Sequence, residues 1–199
     1  MKATFDIVAA QGFEGLRTRL VAEKAGVNVA TLHYYFPTKE ALIGALAEYL
    51  GGIFMSTHAP PGPSTGRHGL DMLRQEFADS AYYMTEQKDL MAVMSELGQR
   101  ASRDPVVAAI MSTMVGFWRA NLASIVRAGI ADGSFRKDVE TEQVTATLVA
   151  IFSGLSVVGP GGVDAVRLAI EQWLVVAPEG DNQGDVGSIP RKVGPSSDA

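Results

Sequence analysis

Cysteine is absent from the 199-residue sequence, which excludes a disulfide framework and a thiol nucleophile. No apolar run follows a basic N-terminal start, so no signal peptide is visible. The later apolar runs are interrupted too often to predict a membrane-spanning helix. Together these absences predict a soluble, cytoplasmic protein that does not enter a membrane.

Histidine is scarce as well, with three residues in the chain. His33 lacks partners at the spacing of metal ligands, while His58 and His68 flank a Pro/Gly-rich loop with no carboxylate partner nearby. We therefore expect neither a metal nor a cofactor.

Residues 18–42 have the pattern of two short helices joined by a glycine turn and followed by a third helix. We expect Thr18 to cap the first helix and Gly26 to end it in a left-handed conformation. Asn28 is expected to cap the second helix, which Pro37 ends, and Thr38 to cap the third. This is the layout of a helix-turn-helix, which places one helix in the major groove of DNA. The segment predicts DNA binding and argues against catalysis as the main activity.

The second helix of this unit, residues 29–36, presents small, hydroxyl, imidazole and phenol groups on its outer face. A purely structural surface helix more often carries Glu and Lys there, so the face favours readout of bases over a solvated helical hairpin. Leu32 and either Tyr35 or Phe36 are expected to point inward. The outward residues are Ala30, Thr31, His33 and Tyr34.

These residues resemble the DNA-binding signature of the TetR family of transcriptional regulators, and the match is nearly continuous from Phe5 to about Leu46. Residues 129–140 are similar to a turn that recurs between long central helices of that family. The resemblance implies an all-α homodimer of about nine helices per chain. Its parts would be a three-helix helix-turn-helix domain (1–46) and a helical ligand-binding and dimerisation domain (47–176). Residues 177–199, Arg191 and Lys192 among them, have a composition that predicts a disordered tail.

The resemblance also implies roles for single residues. Thr18 and Arg19 would begin the helix that crosses the phosphate backbone, with Arg19 also within reach of a base edge. Tyr35 and Lys39 would bind phosphates, although Tyr35 has an alternative interpretation as a packed core aromatic. The backbone amides of Thr38 and Lys39 would add to phosphate binding. The full set of expected DNA contacts is Arg17, Thr18, Arg19, Asn28, Ala30, Thr31, His33, Tyr34, Tyr35, Thr38 and Lys39.

Two features depart from the family pattern. The chain starts almost inside its first helix, without the basic arm that family members usually carry, which indicates either a missing arm or a start placed too late. Family members also often have a hydroxyl residue where Arg17 stands, which here adds a positive charge near the DNA backbone. Residues 1–46 carry five basic and four acidic side chains, which leaves −6 for the remainder of a chain of net charge −5. A local surplus of +1 is modest for a DNA-binding domain, but a dimer doubles the contacts.

The later helices are expected to hold a small-molecule effector and a second copy of the chain. Adaptable, aromatic and polar side chains suggest a pocket, although each of these residues is more often part of a plain core. The last two helices carry a broad apolar surface with small residues, which the resemblance assigns to a homodimer and which packing inside one chain would also explain. The candidate pocket residues are Tyr82, Tyr83, Met91, Met94, Met111, Met114, Phe117, Trp118 and Asn121.

The sequence thus predicts a ligand-responsive repressor that binds a palindromic DNA operator as a homodimer. The alternatives are a helical small-molecule carrier or enzyme, and a protein-interaction module that has lost DNA binding. An enzyme would need a nucleophile–base pair or a ligated metal, and the spacing of the residues shows neither.

Overall fold

The computed structural model describes residues 1–176, and the expected tail at 177–199 lies outside them. Within that range the chain is all-α, with nine α-helices and one short 3₁₀ turn, as predicted. The helices are α1 (Lys2–Gln11), α2 (Thr18–Ala25), α3 (Val29–Tyr35), α4 (Lys39–Ser56), α5 (His68–Glu86), α6 (Lys88–Ala101), α7 (Pro105–Ala131), α8 (Thr141–Val158) and α9 (Val163–Leu174), and the 3₁₀ turn is Pro160–Gly162.

Local caps set the helix-turn-helix. Gly26 ends α2 with φ 68° and ψ 27°, a left-handed conformation that glycine adopts without a Cβ penalty. The Asn28 side chain accepts from the Thr31 amide at 2.7 Å, and Thr38 accepts from the Ala41 amide at 3.1 Å. These three predictions are confirmed. The prediction of a Thr18 cap is wrong, because Arg17 occupies the cap position of α2 and no side chain caps it.

Two apolar clusters hold the chain together. The first contains residues from the four helices α1, α2, α3 and α4, from α6 and from the start of α7, and its centre includes Ile43, Leu46 and Leu97. The second joins α5, α7, α8 and α9 around Phe77 and Leu148. The long helix α7 contributes to both, so it connects the N-terminal helices to the last two helices.

The connections between helices differ in detail from the sequence prediction. The Pro/Gly-rich loop expected between His58 and His68 ends at Arg67, because His68 is already the first residue of α5. Asp71 fixes this loop by accepting from Ser64 Oγ at 2.6 Å and from Thr65 Oγ1 at 2.7 Å. Asp104 caps α7, and Pro105 occupies the first position of that helix.

By length and composition alone, helices α7 and α8 are long and apolar enough to cross a membrane, and each has a mean hydropathy of 1.3. The sequence interpretation that no apolar run qualifies was therefore too strict. Only 17% of the most apolar window of α7 and 28% of that of α8 is buried in the single chain. Their inner faces pack in the two clusters, and their outer faces leave apolar surface exposed.

Candidate nucleic-acid interface

The outer face of α3 is open to solvent. Ala30, Thr31 and His33 are exposed, and Tyr34 is 81% exposed. Leu32 on the opposite side is buried in the first cluster and anchors the helix. The turn at Gly26 sets α3 against α2, so this seven-residue helix protrudes with its four predicted groove-facing residues on one side.

Tyr35 also lies at the surface. It is 68% exposed, and its ring meets the Tyr34 ring edge to face, with centroids 5.2 Å apart. Its alternative interpretation as a core aromatic is therefore wrong. Phe36 takes the inward position instead, packed against the first cluster.

A cleft of about 510 Å³ opens between the start of α2 and the start of α4. Three cationic side chains line it, one from the residue before α2, one from α2 and one from α4, and all three are exposed. The cleft lies at the N-terminal ends of α2 and α4, although Glu40 in the first turn of α4 offsets part of the positive charge there. Such an opening suits a phosphate group. The lining residues are Leu16, Arg17, Thr18, Arg19, Lys39 and Leu42.

The basic residues of the N-terminal region divide into two groups. Lys2 and Lys24 both pair with Asp6, at 3.0 and 3.5 Å, on the side formed by α1. Lys39 instead donates to the Phe13 carbonyl at 3.2 Å, which holds its stem along the cleft. The positive charge left for a polyanion is therefore concentrated at the cleft beside α3.

Phe13, which sequence reasoning missed, connects this cleft to α6. Its amide donates to Glu96 Oε2 at 3.1 Å, and the Arg100 guanidinium lies 5.7 Å from its ring centroid. Arg100 also pairs with Asp104 at 3.0 Å. Because Phe13 and Glu96 are 83 residues apart, no local pattern signals the contact.

A polar cluster lies where the chain passes from α4 to α5. His58 Nδ1 lies 2.8 Å from Asp79 Oδ2, and the buried Asp79 also accepts from the Ala59 amide at 2.7 Å. The pairing with Asp79 raises the pKa of His58 above its ordinary 6.5. The inference that His58 has no carboxylate partner is wrong, since the partner comes from the next helix. Among residues 1–176, no group of three His, Asp or Glu side chains is placed to hold a metal.

Glu76 brings together two of the predicted pocket residues. Its carboxylate accepts from Asn121 Nδ2 at 2.7 Å and from Trp118 Nε1 at 3.4 Å. Burial raises the pKa of Glu76 above its ordinary value, and the nearby Asp79 charge adds to the shift. Tyr83, another predicted pocket residue, donates to the Thr57 carbonyl at 2.7 Å, and burial raises its pKa as well.

The remaining pocket candidates are spread over the bundle. Met94, Met111 and Met114 pack against the first cluster, whereas Trp118 packs against the second. Phe117 is 75% exposed. A separate cleft of about 150 Å³ at the corner of α5 and α9 is lined by other residues, Arg74 and Arg167 among them. Asn121 is exposed as well, and Tyr82 and Met91 are half-buried outside both clusters, so the structure does not gather the nine candidates into one pocket.

Helices α8 and α9 expose a continuous set of apolar and small side chains. Val157 is 88% exposed, and Val158, Leu168 and Trp173 also face solvent. The expected small residues on this surface are exposed too, namely Ala146, Ala150, Gly154, Ala165 and Ala169. Packing inside one chain does not cover this face.

Comparison with known proteins gives consistent matches. A family model described as bacterial regulatory proteins, tetR family, matches residues 1–46, and one described as BetI-type transcriptional repressor, C-terminal, matches residues 70–174. The HTH-type transcriptional repressor KstR of Rhodococcus jostii is 28% identical over 127 residues, which are 63% of this chain. The chain spans about half the length of that relative, since the match covers 50% of KstR.

Solved structures show the same fold. A TetR-family transcriptional regulator from Rhodococcus sp. superposes with a TM-score of 0.71 at 19% identity, covering 88% of this chain and 95% of that one. A transcriptional regulator from Saccharomonospora viridis, solved in complex with choline, gives a TM-score of 0.64 at 19% identity and the same coverage. At these identities the likeness concerns the fold alone.

Proposed function

The chain belongs to the TetR family of bacterial regulatory proteins, and from that premise we propose that it is a ligand-responsive transcriptional repressor that binds a palindromic operator as a homodimer. Members of this family are transcriptional regulators rather than enzymes. The observation that carries the proposal is the exposed face of α3 beside a cleft that gathers Arg17, Arg19 and Lys39. In this proposal the face of α3 reads base edges, and the cleft binds phosphates.

The proposed division of labour follows the chain. Residues 1–46 bind DNA, and residues 47–176 bind the effector and the second copy. α3 enters the major groove with Ala30, Thr31, His33 and Tyr34 toward the bases. The cleft and the Tyr35 hydroxyl hold the backbone, joined by the amides of Thr38 and Lys39. The operator partner also implies a cytoplasmic location.

A second copy of the chain is proposed to cover α8 and α9. An apolar face centred on Val157 and Leu168 is costly to leave in water, and a two-fold arrangement buries the same face on both protomers. Dimerisation also places two α3 helices at half-sites about 34–36 Å apart. Near-palindromic DNA is the partner that matches this symmetry.

The effector is proposed to bind among α5 to α8, where Trp118 and Asn121 meet the half-buried Glu76. A half-buried carboxylate beside an indole suits a small cationic ligand. A ligand changes DNA affinity only by the difference between its affinities for two conformers of the dimer. Glu96 and Arg100 of α6 contact Phe13 beside the DNA-binding cleft, so α6 connects the two regions. Choline is a reasonable first probe, added to the operator-binding assay over a range of concentrations.

Selection from a pool of random duplexes, followed by sequencing at two salt concentrations, tests the function. We expect a palindromic consensus for the wild type and a changed or lost consensus for Tyr34→Ala. Tyr35→Phe is the matched control, since it removes a phosphate-binding hydroxyl and should lower affinity without altering the consensus. Failure to enrich any site at low salt, by this chain and by a version extended at its N-terminus, would contradict the proposal and favour a carrier or protein-interaction module.

A further inference from the structure

The recognition helix lacks the side chains that most often form bidentate pairs with purines. Residues 29–35 read Val-Ala-Thr-Leu-His-Tyr-Tyr, with no Arg, Lys, Asn or Gln. Arg and Lys are the usual readers of guanine, and Asn and Gln are the usual readers of adenine. The basic residues of the neighbouring cleft belong to α2 and α4, or to the residue before α2, so they do not supply this chemistry from α3 itself.

Asn28, which directly precedes α3, does not fill the gap. A bidentate pair with adenine requires the side-chain oxygen to accept from N6 while the amide group donates to N7. The Oδ1 atom of Asn28 already accepts from the Thr31 amide at 2.7 Å. Breaking that bond would remove the N-cap of α3, so only the side-chain NH2 group of Asn28 is left to contact DNA.

Methyl groups occupy the positions where base contacts are made. In a helix-turn-helix the first residues of the recognition helix contact base edges. Here these are Ala30 and Thr31, both exposed, with the partly exposed Val27 next to them in the turn. The base feature that fits such side chains in the major groove is the C5-methyl group of thymine.

We propose that α3 recognises its operator through thymine methyl groups, with the methyl of Thr31 and that of Ala30 packed against thymines in each half-site. The inference rests on the proposed function and specifies the DNA chemistry that the same face selects. It also assigns Thr31 a specificity role through its γ-methyl rather than its hydroxyl.

The expected effect can be stated per methyl group. Burial of one methyl changes affinity by about fourfold, given about 0.8 kcal/mol per buried carbon. A dimer that contacts one thymine in each half-site should therefore bind about 15-fold more weakly when both methyl groups are removed.

Deoxyuridine substitution tests this directly, because it removes the C5-methyl and leaves base pairing unchanged. In the operator recovered by selection, each thymine is replaced in turn by deoxyuridine, symmetrically in both half-sites, and the dissociation constant is measured at fixed salt. We expect at least one pair of positions to show a loss near 15-fold. Equal affinity, within twofold, at every position would overturn the inference.

Two variants of one residue assign the contact. Thr31→Val keeps a methyl and removes the hydroxyl, so deoxyuridine should still weaken operator binding by this variant as it does for the wild type. Thr31→Ser keeps the hydroxyl and removes the methyl, so at one pair of positions the loss of affinity caused by deoxyuridine should shrink to about fourfold or less. The reverse pattern would assign the contact to the hydroxyl and refute the methyl role. Circular dichroism confirms that both variants fold. Failure of the proposed function gives no selected operator, whereas failure of this inference gives an operator indifferent to deoxyuridine.

Discussion

Replacing Lys39 by alanine should change the salt dependence of operator binding in a calculable way. Lys39 is exposed at the cleft, and its one hydrogen bond in the structure goes to the Phe13 carbonyl. In the proposed complex it binds a phosphate as a point charge. Removing it therefore deletes one phosphate contact per protomer and leaves the base-facing residues of α3 untouched.

The magnitude follows from the three cationic side chains of the cleft. Arg17, Arg19 and Lys39 give about six neutralised phosphates per dimer, hence a slope of about −5.4 for log K against log[salt]. Between 50 and 200 mM salt the wild-type affinity should fall about 2,000-fold. The variant retains about four contacts, a slope near −3.6 and a fall of about 150-fold.

Titration of a fluorescent operator at four or more salt concentrations measures both slopes. Lys24→Ala is the matched control, because Lys24 lies on the adjacent α2 and pairs with Asp6 at 3.5 Å, away from the cleft. Its slope should equal that of the wild type. An unchanged slope for Lys39→Ala, or an equal change for Lys24→Ala, would refute the assignment of the cleft to phosphate.

Three further substitutions probe the turn, the dimer and the polar cluster. Gly26→Ala should lower the unfolding free energy by about 1–2 kcal/mol in a denaturant titration, since alanine is strained at φ 68°. Gly52→Ala is the control, because Gly52 lies within α4 with space for a Cβ atom, and it should raise the unfolding free energy by up to about 1 kcal/mol. Val157→Asp should halve the mass measured by sedimentation equilibrium, because it places a charge in the proposed dimer interface. Val106→Asp on α7 is the control, since Val106 is also exposed but lies outside that interface, and this variant should stay dimeric. A dimeric Val157→Asp would exclude the α8–α9 interface. Asp79 raises the pKa of His58 above its unfolded value near 6.5, so the pair stabilises the fold fully below that pH and progressively less as pH rises through the folded pKa. The difference in unfolding free energy between pH 6 and pH 8 should therefore be smaller for His58→Asn than for the wild type. Equal differences would contradict the pairing.

What could be predicted from sequence was local. Asn28, Thr38 and Asp104 each cap an amide two or three residues ahead, so residue type and position suffice to identify them. Thr18 failed by one position, because Arg17 in an extended conformation occupies the cap and helical geometry starts at Thr18 itself. The sequence alone does not distinguish these two registers.

Contacts between distant segments were not predictable. Glu96 meets Phe13 only because α6 packs on α1, and His58 meets Asp79 only because the loop after α4 folds back on α5. The candidate effector residues illustrate the same limit, since helical periodicity marks them as inward-facing without indicating which of the two clusters each joins. Exposure of Tyr35 rather than Phe36 likewise depends on where α3 ends.

The first apolar cluster has a consequence for building chimeric regulators. Most of its buried residues lie in residues 1–46, and α6 adds Leu90, Val93 and Leu97. A graft that transfers only residues 1–46 to a foreign effector domain would remove the α6 side chains that pack against this cluster and would leave the Phe13 amide without Glu96. The transferable module is therefore the three-helix unit together with α4 and a matching α6 surface, and exchanges between homologues should keep those pieces from the same parent.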